Sequence, residues 1–408
     1  MRDNKYFVLL CLVALIWNAF FSLYKPFTGF DYIFYFFLIL SVIFSNAVGM
    51  IARYIIILFF LLLFIVCSNV FSSYSPPLVY SIMGSVLTIS PFLIFLVGFK
   101  RTFTYIELVQ FIDLIIKVVF VMLFLTYFES IFFRSGLKGN YWVSSNFFRS
   151  VGFSSSISNL AISLSLGQFI QSRKRKYIYY ALFFFLTIIF NMQMKSLIAG
   201  LMLVFIFILL FSDLEKAQKM KLIVMFSVGA LFMVMVTGFL DVLLYKYSVY
   251  TVSDATDSIA RNALYDRCIK IANDFFPFGC GQGTFGSPVT TFFNSRVYYD
   301  YHLSSIWGLA FNGNVNFKLD TYWSSIIGEI GYIGAILYFS LFFYPFYFLW
   351  RIGANKTDKG LFFIVLGTLF TVFIESFTLN LPSQIAWIVI YSCLNGIICR
   401  YIYNKSYC

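Results

Sequence analysis

Long apolar runs separated by short, basic polar patches set the pattern of this chain. Stretches such as 55–66, 181–190, 197–211 and 361–373 hold too few polar side chains to face water. In lipid every backbone amide must be paired within its own segment, so helix is the default. Strands that alternate apolar and polar faces, the pattern of an outer-membrane barrel, are absent. At about 20 apolar residues per span, the runs predict spans at 6–23, 31–48, 54–71, 78–98, 106–128, 153–170, 177–190, 197–211, 222–244, 323–349, 361–379 and 385–399. The seventh and eighth are short enough to form one re-entrant pair. The expected fold is all-α: a polytopic membrane protein with about twelve transmembrane helices, forming a single integral membrane domain over 1–408.

Two stretches interrupt this pattern. The smaller, 129–152, carries turn chemistry in Ser135-Gly136, Lys138-Gly139-Asn140 and Ser144-Ser145-Asn146. The larger, 245–321, is far longer than an ordinary connection, and its aromatic, Ile and Leu content argues against disorder. Within it 257–275 reads as a helix, capped by Asp257 or Ser258, with Ile259, Ala263, Ile271 and Ala272 on an apolar side. Arg261, Tyr265 and Cys268 then share one face, and Arg267 projects elsewhere. The helix stops at Pro277, after which Gly279, Gly281 and Gly283 permit tight turns.

Composition agrees with a membrane protein: 61% of residues are hydrophobic, 22% aromatic and only 11% charged, for a mean hydropathy of +0.87. With a cytoplasmic N-terminus, most cations fall on one side, among them Arg53, Lys100, Arg101, Arg173, Lys174, Arg175, Lys176, Arg351, Lys359, Arg400 and Lys405. That asymmetry is the positive-inside pattern and predicts both termini in the cytoplasm. It also accounts for the net charge of +12 without a nucleic-acid partner. The opposite face is not acidic, because the large insert carries Arg261, Arg267, Lys270, Arg296 and Lys318; an anionic ligand suits it. The first residues imitate a signal peptide, but no small-residue cleavage site follows, so a retained first span is expected. Cys268 and Cys280 are expected to be separate thiols, with a disulfide as the alternative.

In so apolar a chain, the scarce polar residues of the insert are where chemistry is sought. Arg261 offers a permanently charged fork matched to phosphate oxygens; the alternative is an exposed pair with Asp257. Lys195, in a very short turn, is a cation on the side that the topology leaves poor in cations. It is either a phosphate ligand or a side chain snorkelling to headgroups. Asp320 precedes a span, as a proton-accepting carboxylate or as a helix N-cap. The Gly279–Gly283 turn lacks the strand and helix that frame a phosphate-binding glycine loop, though its amides can still form an anion nest. His302 stands alone without a ligand cluster, so no metal ion is expected. Asp113 and Lys117, four residues apart within a span, read as a mutually neutralising pair, with a functional role as the alternative, and Glu375 is open to the same two readings.

Several segments together resemble the O-antigen polymerase and O-antigen ligase superfamily of bacterial inner-membrane glycosyltransferases. They are Met194-Lys195-Ser196-Leu197, Arg261-Asn262-Ala263-Leu264-Tyr265, the run from Phe276 to Phe285, and the run from Asp320 to Gly334. Ligases typically have His-Asn where this chain has Asp320-Thr321, so the departure favours the polymerase branch. The resemblance implies an undecaprenyl-pyrophosphate-linked glycan as donor and as acceptor, membrane lipid around the site, and a chain-length regulator as a further partner. It also implies an active site on the periplasmic face, with 245–321 and 129–152 as periplasmic loops, and a reaction without cofactor. Arg261 and Lys195 would bind the departing pyrophosphate, Arg267 and Arg296 being further candidates for phosphate or sugar. Asp320 would accept the proton of the acceptor hydroxyl, and Tyr298, Tyr299, Tyr301 and Trp307 could stack on sugar rings. The alternatives are a ligase that transfers finished polymer to lipid A–core, and a polysaccharide flippase or other transporter.

Overall fold

The computed structural model describes residues 2–21, 51–74, 76–132, 151–191, 194–208, 224, 260–311, 317–318, 321–379 and 388–407. Among the described residues helix is the only regular structure. The helices are α1 (Arg2–Phe21), α2 (Ala52–Phe71), α3 (Leu78–Lys100), α4 (Tyr105–Phe132), α5 (Val151–Ser172), α6 (Lys176–Asn191) and α7 (Met194–Ile206). They continue with α8 (Ala260–Asp274), α9 (Tyr322–Arg351), α10 (Lys359–Glu375) and, after a π-helical turn at Ile388–Cys393, α11 (Leu394–Tyr407).

Four of these segments are long and apolar enough to cross a membrane: Ala52–Phe71, Leu78–Lys100, Tyr105–Leu125 and Tyr322–Arg351. Their lipid-like character shows in α2, where Phe59, Val66 and Val70 are 62%, 57% and 70% exposed although the helix is apolar all round. The runs expected at 177–190 and 197–211 are the shorter apolar helices α6 and α7. The run expected at 31–48 lies outside the described residues, as do 222–244 apart from Val224 and most of 129–152.

Helix α5 is the hub. It packs along α6 and α10, with α4 and α7 completing its surroundings. It is rich in Ser, Asn and Gln, yet every residue from 155 to 168 is buried. Polar side chains are tolerated there because neighbouring helices keep them away from lipid. Small residues allow the close approach. A Cβ on Gly360 would meet the Gly167 carbonyl oxygen at 2.5 Å, and one on Gly367 would meet the Ser163 hydroxyl at 2.6 Å.

The bundle has two distinct ends. At one, the basic residues gather. Lys405 pairs with Asp358 at 2.7 Å, Lys176 with Asp113 at 2.9 Å, and Arg101 lies 4.6 Å from the Phe7 ring centroid. At the other end the insert packs, with its own core of Leu264, Cys268, Ile271, Cys280, Phe285, Val297, Tyr298, Leu303, Ile306 and Leu309. Helix α8 buries Ala260, Ala263, Leu264, Cys268, Ile271 and Ala272 against α9. The described part begins at Ala260, inside the helix expected from Asp257. Cys268 and Cys280 are free, buried thiols.

Helix α9 opens at Gly331, which sits at φ 67° and ψ −179°. That opening releases the carbonyls of Gly328 and Glu329, which accept the Cys280 and Gly281 amides at 2.9 and 3.0 Å. Gly279 and Gly331 face each other so closely that a Cβ on either would strike the other segment's backbone. Gly353 also has positive φ but has nothing within 4 Å of a Cβ. A left-handed backbone alone costs a side chain about 1–3 kcal/mol, and at Gly331 the steric clash adds to it. Gly331→Ala is therefore expected to lower the thermal midpoint of the detergent-purified protein well below that of Gly353→Ala. Equal losses in the two variants would contradict this account of the break.

Candidate active site

Segments that are remote in sequence meet at the C-terminal end of α10. The last carbonyls of a helix have no intrahelical partner and must find one elsewhere. Here the helix closes on Glu375, and the turn after it offers two outward carbonyls. Ser376 O accepts the Tyr322 amide at 3.1 Å, and Phe377 O accepts the Tyr265 hydroxyl at 3.0 Å. One turn back, Phe373 O accepts Trp323 Nε1 at 3.0 Å. The Glu375 side chain accepts Asn159 Nδ2 through Oε1 at 3.0 Å, and the same amide group donates to Ser196 O at 2.8 Å. Thus α5, α7, α8 and α9 are all pinned to one helix end.

This junction involves the immediate neighbours of the residues singled out from sequence. Tyr265 lies one helical turn beyond Arg261 on α8, Ser196 follows Lys195 on α7, and Tyr322 lies two residues after Asp320. Arg261 is half-buried. Burial raises the Tyr265 hydroxyl well above its ordinary pKa, and the positive field of Arg261 opposes that rise, so the two side chains are in electrostatic reach. Asp320 and the Lys195 side chain lie outside the described residues, and so does Asp257.

Arg267 and Arg296 belong to another set of contacts. Arg267 pairs with Asp266, and its Nε donates to Tyr301 O at 3.2 Å. Arg296 is exposed at the start of the short helix Val297–Asp300, near Tyr74. The Tyr74 hydroxyl donates to Asp300 Oδ2 at 2.7 Å, and burial, then that bond, pushes its pKa up to about 12. Of the aromatic side chains considered for sugar stacking, Tyr298 is fully buried and its hydroxyl accepts the Gly286 amide at 3.1 Å. Its ring is core, not binding surface. Tyr299 and Trp307 remain open, at 51% and 68% exposure, and the Tyr301 hydroxyl donates to Asp274 Oδ2 at 2.6 Å.

The glycine-rich turn has its own occupant. Besides the two bonds to α9, the Gln282 amide donates to Asn69 Oδ1 at 2.8 Å and the Phe285 amide to Glu329 Oε1 at 3.0 Å. The Thr88 hydroxyl donates to Gln282 Oε1 at 2.8 Å. The amides around Gly279–Phe285 are therefore spent on this chain's own carbonyls and on the buried Glu329 carboxyl group, not held out for a phosphate. The turn is a plug in the bundle, with Cys280 and Gln282 fully buried. Glu329 and Asn159 were not assigned roles from sequence. The available signal was a carboxylate and an amide inside apolar spans, which the cost of burial makes informative. Among the described residues no group of three His, Cys, Asp or Glu side chains could hold a metal ion.

No family model matches the chain, and no curated protein matches it either.

Lys318 is a further feature of the insert. It is 2% exposed, and its ammonium lies 3.5 Å from the Phe311 ring centroid and 5.6 Å from that of Tyr298. Burial lowers its pKa to about 8. The unfolded chain holds this proton more tightly than the folded one, so burying the ammonium costs stability in full below about pH 8. That cost fades as the pH rises towards the ordinary lysine value of about 10.4. Ring faces return part of it, about 0.5–2 kcal/mol. Lys318→Met is expected to melt above the wild type near neutral pH, by a margin that narrows on the way to about pH 10. A margin independent of pH would mean that the amine is solvated.

Proposed function

We propose that this chain is an O-antigen polymerase. It joins undecaprenyl-pyrophosphate-linked oligosaccharide repeat units at the periplasmic face of the bacterial inner membrane, in a bundle of about twelve spans. The observation that carries this reading is the junction at the end of α10. The sequence segments around Lys195, Arg261 and Asp320, which carry the resemblance, are bonded there through their neighbours Ser196, Tyr265 and Tyr322. The other two resembling runs also touch, since the Cys280 and Gly281 amides bond to Gly328 and Glu329.

In the proposed reaction, the acceptor hydroxyl attacks the anomeric carbon of the donor glycan. The glycosyl–phosphate bond breaks, and undecaprenyl pyrophosphate departs with the electron pair. Arg261 and Lys195 stabilise the charge gathering on that leaving group, a role in which fixed cations in a water-poor site count for most. Asp320 takes the proton of the hydroxyl. Electrostatic stabilisation of this kind is worth about 100- to 1,000-fold in rate, and general base assistance about 100- to 10,000-fold. In proteoliposomes supplied with a lipid-linked repeat unit, Arg261→Ala and Asp320→Asn are each expected to lower polymer formation by about 100-fold or more. Both variants should keep normal expression and melting. Wild-type rates in either variant would remove that residue from the mechanism, and transfer of finished polymer to lipid A–core by the wild type would make the enzyme a ligase.

A further inference from the structure

We propose that Asn159 and Glu375 are positioning residues of the candidate site. They hold the first turn of α7, and with it the backbone of Lys195, against the end of α10. The inference rests on the function proposed above and names what orients its cation.

The geometry is specific. Asn159 and Glu375 are both fully buried, on helices α5 and α10, and the Asn159 amide group bonds the Glu375 carboxylate and the Ser196 carbonyl together. In an undisturbed helix the Ser196 carbonyl would serve only the amide four residues on. Here it also accepts a side chain from a different helix. The partner position on α7 is Gly200, where a Cβ would come 2.8 Å from Asn159 Oδ1. Glycine there lets the amide reach the helix backbone.

Packing alone does not explain this arrangement. A carboxylate in an apolar bundle is expensive, and leucine or methionine would fill similar space without that cost. Asn159 Oδ1 and Ser196 Oγ are buried without a hydrogen bond among the described residues. Each such group costs about 1–3 kcal/mol. A three-helix node that buries a carboxyl group, an amide and a hydroxyl among apolar helices is costly to keep, which is the pattern of a functional position. Its product is a fixed helix end. Lysine has a long, mobile stem, so the catalytic value of the cation depends on how firmly the backbone beneath it is held.

The test uses the full chain in nanodiscs and reads two quantities. Amide hydrogen exchange over residues 194–200 reports the node without substrate, and KM against kcat for the lipid-linked donor reports its consequence. Glu375→Leu and Asn159→Leu are expected to speed exchange there and to lower kcat about tenfold with KM within about threefold, as when a cation that acts on developing charge loses its fixed place. Glu375→Gln keeps an oxygen that accepts from Asn159 and is expected to restore both. Should the leucine variants not fold, Asn159→Ser shortens the donor without adding bulk and is expected to speed the same exchange. Wild-type exchange in the variants that fold would overturn the proposal. So would a Glu375→Gln variant that is inactive while its exchange stays protected, because the charge itself would then be required. A wild-type chain that exchanges as described but never polymerises would sink the proposed function and leave the node standing.

Discussion

The opening of α9 at Gly331 is the constraint on which the rest of the architecture depends. A helix that leaves its hydrogen-bond ladder within a membrane bundle exposes carbonyls that have no water to turn to. In this chain the insert supplies the missing donors, from Cys280 and Gly281 to the carbonyls of Gly328 and Glu329. The Ser68 hydroxyl adds a second bond to the Glu329 carbonyl at 2.6 Å. The Glu329 side chain turns back to receive the Phe285 amide. Each unmade bond of this kind would cost about 1–3 kcal/mol, so span and insert stabilise each other. The insert is consequently held as part of the bundle end, and α8 is carried to a fixed place.

That placement explains why α8 can act on residues so far away in sequence. Its C-terminal end is tied to the plug through the turn at Phe275, and its Tyr265 is bonded to Phe377. Arg261, one turn earlier, is thereby restricted to the neighbourhood of the α10 terminus. A helix C-terminus carries partial negative charge, so the hydroxyl and indole donors of Tyr265 and Trp323 are themselves attracted to this end. The same polarity attracts the Asn159 amide and the Tyr322 amide. Several weak preferences then point in one direction, which is how a polar junction survives among apolar helices.

Much of the scaffold was legible in the sequence, because spans are specified by apolar length alone. The runs expected at 54–71, 78–98, 106–128 and 323–349 correspond to Ala52–Phe71, Leu78–Lys100, Tyr105–Phe132 and Tyr322–Arg351. The periodicity of Ala263, Ile271 and Ala272 likewise anticipated α8. The site was harder to read, because its bonds join distant residues: Asn159 and Glu375 are 216 positions apart. Burial also reversed local expectation in the glycine-rich turn. Its composition suits a solvated loop, yet tertiary contacts with Asn69, Thr88 and the opened α9 drew Cys280 and Gln282 fully inside. For Tyr298 the same effect converted an aromatic side chain that invited a binding role into core.

The distribution of polar contacts along α5 bears on whether such a bundle acts at one face or passes a substrate through. A transporter needs a polar site near the middle and two halves that can separate. Here α5 and α10 are zipped together below the junction by close approach, of backbone to backbone at Gly167 with Gly360 and of the Ser163 side chain to Gly367. Contacts of that closeness resist separation, since parting them would forfeit dispersion along the whole seam. The residues that tie distant segments together, Asn159, Glu375, Tyr265 and Tyr322, all lie above that seam, at the end where the insert packs. A junction at the end where the insert packs suits the chemistry proposed above, on a lipid-anchored substrate whose polyprenyl tail stays in the bilayer while its charged head reacts at the surface.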